Sequence, residues 1–244
     1  MLCLLGVLGG CGDKKEIAAF VAQHRGAIEA SLKPLESLPA LVDAVPPFAA
    51  HTVKAPPDGP MDFELGRGNG IIMHLEDLKD LRQPAKVAFR LEGSGISDGW
   101  TAPSRLKQLL VGGEWTGLGG LKMVEAVAGD AERWRFALVL RMRVFEQLER
   151  TGEKDFIPAH VEGDAVLVDL KSQTVLGGFP LAIDGKATMA LRSRRGPAGI
   201  KFEESATDAS DIHLRVRMME LVREGLRGAQ PSARLPYQSS FAGR

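Results

Sequence analysis

The chain has 244 residues, 44% of them hydrophobic and 25% charged, which sets it among globular chains able to bury a core and apart from disordered or fibrous ones. Thirty-one basic residues balance 31 acidic ones, a formal charge of zero, so no global field draws in nucleic acid or an acidic substrate and nucleic-acid binding is not expected. No run after Cys11 approaches the roughly 20 apolar residues of a membrane-spanning helix, so any membrane attachment has to come from a lipid.

An apolar run from Leu2 to Leu8 leads into Leu8-Gly9-Gly10-Cys11, an apolar residue and two small ones before a cysteine. This resembles the lipobox of bacterial lipoproteins. The resemblance implies a diacylglycerol on the Cys11 thiol, removal of residues 1–10 as a signal segment, and an envelope location in which the partner of the N-terminus is a membrane. Gly12 after the cysteine weakly favours the periplasmic side of the outer membrane, by the sorting rule of enteric lipoproteins. The other cysteine, Cys3, would leave with the signal. The mature body would then carry no free thiol or disulfide, which suits an oxidising compartment.

From Lys14, the residues Ile17, Phe20, Val21, Ile28, Leu32 and Leu35 recur at helical spacings and put an apolar stripe, with His24 on it, along one face. Pro34 and Pro39 predict a helix to about Leu32 and a shorter helical piece near Leu38–Val45, so that residues 11–45 form an N-terminal helical segment. Pro46-Pro47, Pro56-Pro57 and Gly59-Pro60 mark residues 46–60 as an extended connection, either a tether or a clasp across the body. An α+β domain is expected over 61–228 and a disordered tail over 229–244, where Pro231 and Pro236 stand among few apolar residues.

Within that domain, Gly70–Leu75 reads as a strand, Glu76–Asp80 as a turn and Lys86–Leu91 as another strand. The loop Gly93–Gly99 and a short helix follow, the helix opened by Pro103-Ser104 and ended by Gly112-Gly113. Trp134, Phe136, Leu138, Leu140, Met142 and Val144 alternate with Arg135, Ala137, Val139, Arg141, Arg143 and Phe145, which predicts a long strand with one strongly apolar face and Arg141 and Arg143 on the other. Ala165–Leu170 and Val175–Ile183 read as a hairpin around Lys171–Thr174, with Gly177-Gly178 marking a bulge or a close backbone approach. Ala187–Leu191 is a further candidate strand. Leu214, Met218, Leu221, Val222 and Leu226 predict a last helix, capped by Asp208-Ala209-Ser210 and stopped at Gly228. The expected fold is α+β, an antiparallel sheet of long strands packed with N-terminal and C-terminal amphipathic helices. The phrase Asp169-Leu170-Lys171 followed by Val175-Leu176-Gly177-Gly178-Phe179 is similar to stretches in uncharacterised bacterial lipoproteins, a likeness that implies no activity.

Candidate chemistry is sparse. Gly95-Ile96-Ser97-Asp98-Gly99 matches the G-x-S-x-G elbow of α/β-hydrolases, with Ser97 as nucleophile and His160 or His213 as base, but an elbow needs a strand before the serine and a helix on it. Pro103 would fall in the first turns of that helix, so the segment reads as a plain loop. Gly66–Gly70 has the glycines of a phosphate loop without its Lys-Ser/Thr or a following helix, and reads as a turn. His24, His51, His74, His160 and His213 show no metal-ligand spacing, which leaves only a metal site built by tertiary contact. Arg192, Arg194 and Arg195 form a basic patch that reads as a solvated loop, with anionic head groups as the alternative partner. No catalytic set and no cofactor site assembles from these residues. The reading is therefore a lipid-anchored envelope protein that binds or scaffolds, with an envelope serine hydrolase using Ser97, or a cytosolic globular protein with a chance lipobox, as the alternatives.

Overall fold

The computed structural model describes residues 10–56, 59–63, 68–79, 97–112, 120–146, 148–151, 156–185, 193–195, 201–203 and 206–234. In chain order these form α1 (Gly10–Glu36), α2 (Leu38–Asp43), β1 (Gly70–His74), α3 (Leu75–Lys79), α4 (Ser97–Leu110), α5 (Gly120–Ala131), β2 (Phe136–Glu146), β3 (Glu149–Arg150), β4 (Phe156–Ile157), β5 (His160–Asp169), β6 (Thr174–Asp184), β7 (Ser193–Arg195), β8 (Lys201–Glu203) and α6 (Ala206–Ala229). The fold is α+β. Its centre is a four-stranded sheet in the order β1-β2-β5-β6, with β3-β4 and β7-β8 as separate two-stranded pairs.

The sheet is mixed, which corrects the expectation of an antiparallel one. β2 pairs with β5 and β5 with β6 antiparallel, but β1 runs parallel to β2, with Gly70 opposite Phe136 and His74 opposite Leu140. Parallel neighbours cannot be joined by a tight turn and need a crossover of a dozen or more residues. The chain between β1 and β2 provides it and contains α3, α4 and α5.

β2 is covered on both faces. Ala137 and Val139 face the helical layer with Ile17, Val21, Ile28, Leu32, Leu35, Leu106 and Val124, while Phe136, Leu138 and Leu140 face α6 through Leu214, Met218, Val222 and Leu226. All five residues from Phe136 to Leu140 are fully buried, so the face expected to be polar is a second core surface. The alternation is then broken by a bulge between Met142 and Val144. An extra residue in one strand exchanges its two faces. Beyond the bulge Phe145, and not Val144, packs with the α6 core.

Helix boundaries depart from the proline rule in two places. α1 continues through Pro34 to Glu36, and α4 begins at Ser97 with Pro103 inside it, where a helix opening at Pro103 was expected. A proline in a helix interior costs about 3 kcal/mol. Here Leu32 and Leu35, and Ala102, Leu106 and Leu109, are buried in one cluster on either side of these prolines, and burial of such side chains contributes roughly 1.5–3 kcal/mol for each large one. The expected caps Asp208–Ser210 likewise fall inside α6, which starts at Ala206.

The turn expected over Glu76–Asp80 is the short helix α3 as far as Lys79. The candidate strands Lys86–Leu91 and Ala187–Leu191 lie outside the described residues. Chain order is retained beyond the expected end of the domain. Gln230, Ala233 and Arg234 pack on the 59–63 segment, with Ala233 buried and a parallel bridge between Asp62 and Arg234, so residues 229–234 are not the start of a disordered tail.

Candidate functional site

Cys11 stands in the first turn of α1, whose first buried side chain among those described is Ile17. Lys14, Lys15 and Glu16 between them are exposed.

The most developed charged centre is one that the strand pattern did not suggest. Arg141 and Asp164 lie opposite each other on β2 and β5. Arg141 Nε donates to Asp164 Oδ1 at 2.8 Å and Nη2 to Oδ2 at 2.6 Å, a bidentate pair in which Asp164 has no exposure and Arg141 only 11%. Arg141 Nη1 also donates to the carbonyls of Val42 and Val45 at 2.9 and 2.8 Å, the end of α2. Asp164 Oδ2 accepts from the Phe48 backbone N–H at 2.9 Å. The hydrogen bond with Asp164 holds the Arg141 pKa above its ordinary value, against the opposing effect of burial. Besides the bonds within the pair, Arg141 Nη1 and Asp164 Oδ2 bond residues 42, 45 and 48, so the pair ties the extended connection to the sheet.

From there the connection runs along the outer edge of β6. Thr52 N–H donates to the Gly178 carbonyl and Lys54 N–H to the Leu176 carbonyl, at 2.8 and 2.9 Å. His51 Nε2 donates to the Gly225 carbonyl of α6 at 2.5 Å, and its ring stacks at 5.7 Å on Phe179. Residues 46–56 are thus a clasp, one of the two expected forms. The close approach expected at Gly177-Gly178 is made here. A Cβ on Gly177 would stand 2.4 Å from the Thr52 carbonyl oxygen, and one on Gly178 would stand 2.2 Å from the Phe48 ring; Gly177 also holds φ at +124°.

The residues of the hydrolase reading are dispersed. α4, which begins at Ser97, packs in the core on the α1 side of the sheet, whereas α6, which carries His213, packs on the other side. His160 is at the start of β5, on a row with Glu146 and Asp184. Its Nδ1 contacts Asp184 Oδ1 at 2.8 Å and its Nε2 lies 3.4 Å from Glu162 Oε1. The Asp184 hydrogen bond, followed by that to Glu162, raises its pKa above 6.5. His24 stacks on Phe20, and His74 is buried at the end of β1. No protein-family model matches the chain, and no curated protein or solved structure matches it.

The remaining candidates resolve into structure. Asn69, in the glycine-rich loop, accepts the Asp62 N–H through Oδ1 and donates to the Pro60 carbonyl, while its own carbonyl accepts the N–H groups of Arg135 and Phe136. Asn69 therefore leads the chain into β1, while Gly66 and Arg67 lie outside the described residues. Arg194 pairs with Phe202 across β7-β8, and Arg192 lies outside the described residues. Among the described residues no three His, Cys, Asp or Glu side chains gather as a metal site, and no helix is long and apolar enough to cross a membrane.

Among the described residues, Pro56 and Gly59–Asp62 on one side and Gln230, Ser232 and Arg234 on the other line an open groove of about 720 Å³. Across it Gln230 Oε1 accepts the Met61 N–H at 2.7 Å, and the charged atoms of Arg234 and Asp62 lie 4.0 Å apart. Sequence reading missed this groove because one wall comes from the segment assigned to the tail. It missed the Arg141–Asp164 pair because the two residues are 23 positions apart and only strand pairing sets them opposite each other.

Proposed function

We propose that this chain is a bacterial envelope lipoprotein, anchored through acylated Cys11, whose body acts by binding or scaffolding. The observation that carries the anchoring is Leu8-Gly9-Gly10-Cys11 after the apolar run 2–8. Burial of acyl chains contributes about 0.8 kcal/mol per CH₂, and one myristoyl chain gives marginal attachment, so two or three chains hold a protein almost irreversibly. A role without covalent chemistry is supported by how the charged groups are used. Arg141 and Asp164 fasten the clasp, and His160 meets surface carboxylates.

Fractionation of the native host tests the anchoring. The wild type should sediment with membranes and yield an acylated N-terminal peptide by mass spectrometry, and Cys11→Ala should move to the soluble fraction. A soluble wild type with an unmodified Cys11 sinks the reading.

Ester hydrolysis at Ser97 has one observation in its favour, a helix that starts on the serine. It is opposed by the sheet between α4 and α6 and by the engagement of His160 with Asp184 and Glu162. An unactivated hydroxyl does not react with a fluorophosphonate, because the nucleophile needs a base beside it. The folded protein should remain unlabelled, and stoichiometric labelling lost in Ser97→Ala would make hydrolysis the leading function.

A further inference from the structure

We infer that the lipid anchor is joined to the body with no flexible tether, so that one defined end of the molecule, where α1 begins, rests against the bilayer. The inference rests on the anchoring proposed above and adds an orientation to it. Cys11 is already helical, and Ile17, six positions later, is packed in the core. At 1.5 Å per residue, only about 9 Å of helix separates the acylated position from the first packed side chain. A helix of that length transmits direction, whereas a disordered linker would not.

Two contacts set the height of α4 along α1. Lys107 Nζ meets Glu36 Oε1 at 2.7 Å, and Arg25 Nη2 donates to the Leu110 carbonyl at 2.8 Å. Progress along α4 from Lys107 to Leu110 is therefore progress back along α1 from Glu36 towards its start. The two helices are antiparallel, and α4 ends beside Arg25, 14 positions and about 21 Å of helix from Cys11, so Val111 stands at mid-height on α1. Val111 is 64% exposed, the most exposed large apolar side chain among the described residues. The opposite end is marked by the β5–β6 turn, where Gln173 Nε2 reaches the Pro34 carbonyl and Ser37 Oγ meets the Gln173 side chain. Since α1 has 27 residues, that turn stands about 40 Å from the start of the helix.

The two heights, about 21 Å and about 40 Å of helix from Cys11, can be read by energy transfer, because processing would leave no other free thiol in the chain. Val111→Cys and Ser172→Cys alter exposed positions. Each full-length variant, acylated in its host and labelled with a donor, is added to vesicles of phosphatidylethanolamine and phosphatidylglycerol carrying a head-group acceptor. Transfer should be stronger from position 111 than from 172. An inserted Gly/Ser linker of about 20 residues between Gly12 and Asp13, with an r.m.s. span of about 25 Å, should abolish the difference. Equal transfer from the two positions in acylated protein, or a difference that survives the linker, overturns the orientation and leaves the anchoring intact. An N-terminal peptide without acyl mass overturns both.

Discussion

Arg141 shows what one charge can do inside a sheet. Removal of one partner of a buried ion pair costs roughly 3–5 kcal/mol, because the other charge is left without compensation. Arg141→Ala and Asp164→Ala should therefore each lower the unfolding free energy in urea by an amount in that range, read as a fall in the midpoint at unchanged slope, and Arg141→Lys should rescue poorly, since an ammonium cannot match the bidentate fork and two carbonyls together. Replacing both residues by apolar ones of similar volume should cost less than either single change. An Arg141→Ala variant that unfolds at the wild-type midpoint would show that the pair contributes nothing. His160 makes a second prediction at this scale. Its pKa is raised in the folded state by Asp184, so protonation favours the fold; that contribution is fully present below about 6.5 and is lost as pH rises through the raised folded value. The imidazole NMR titration should have its midpoint above 6.5 and move down in Asp184→Asn; a midpoint at or below 6.5 in the wild type would contradict the contact.

At the scale of elements, the clasp depends on two glycines in β6. Gly178→Ala places a methyl group into the Phe48 ring and against the Ala165 carbonyl oxygen, which would lie 2.5 Å away. A phenyl ring can move where a paired strand cannot, so the clasp should yield before the sheet does. Its lost backbone bonds, Thr52 to Gly178 and Lys54 to Leu176, are each worth roughly 0.5–1.5 kcal/mol. Limited proteolysis should then cut Gly178→Ala within residues 46–56 much faster than the wild type, with the remaining body intact. Unchanged cleavage would mean that the close approach of clasp and strand does not hold the clasp in place. The helices carry a related lesson. Pro34 and Pro103 remain inside α1 and α4 because the residues around them are buried, and the local cost is spread over several packed side chains.

The whole molecule is organised about β2, whose two faces belong to two different cores. Leu138 faces α6 and Val139 faces the helices of the α1 side, one residue apart on the same strand. Neither core can unfold without exposing the strand that the other packs on. Leu138→Ala should cost roughly 2–5 kcal/mol. The transition should stay single, with far-UV circular dichroism and tryptophan fluorescence coincident. Trp134 packs against the α1-side core, so its environment reports that side even when the substitution lies on the other. Two separated transitions in Leu138→Ala would show that the layers fold independently.

How much of this was legible in the sequence follows from the range of the interactions. Local order sufficed for the α+β class, for the hairpin of β5 and β6, for α2, and for the close approach at Gly177-Gly178, because each rests on side-chain period or on a backbone need confined to a few residues. Only tertiary contact decided that β1 runs parallel to β2, that the second face of β2 is buried, that Pro103 lies inside a helix, and that residues 230–234 return to line a groove. Only the fold, too, brought Arg141 to Asp164, 23 positions away, and both to the end of α2. The physical reason is common to these cases: burial is a property of what packs against a surface, and a chain read along its length shows the surface without its partner.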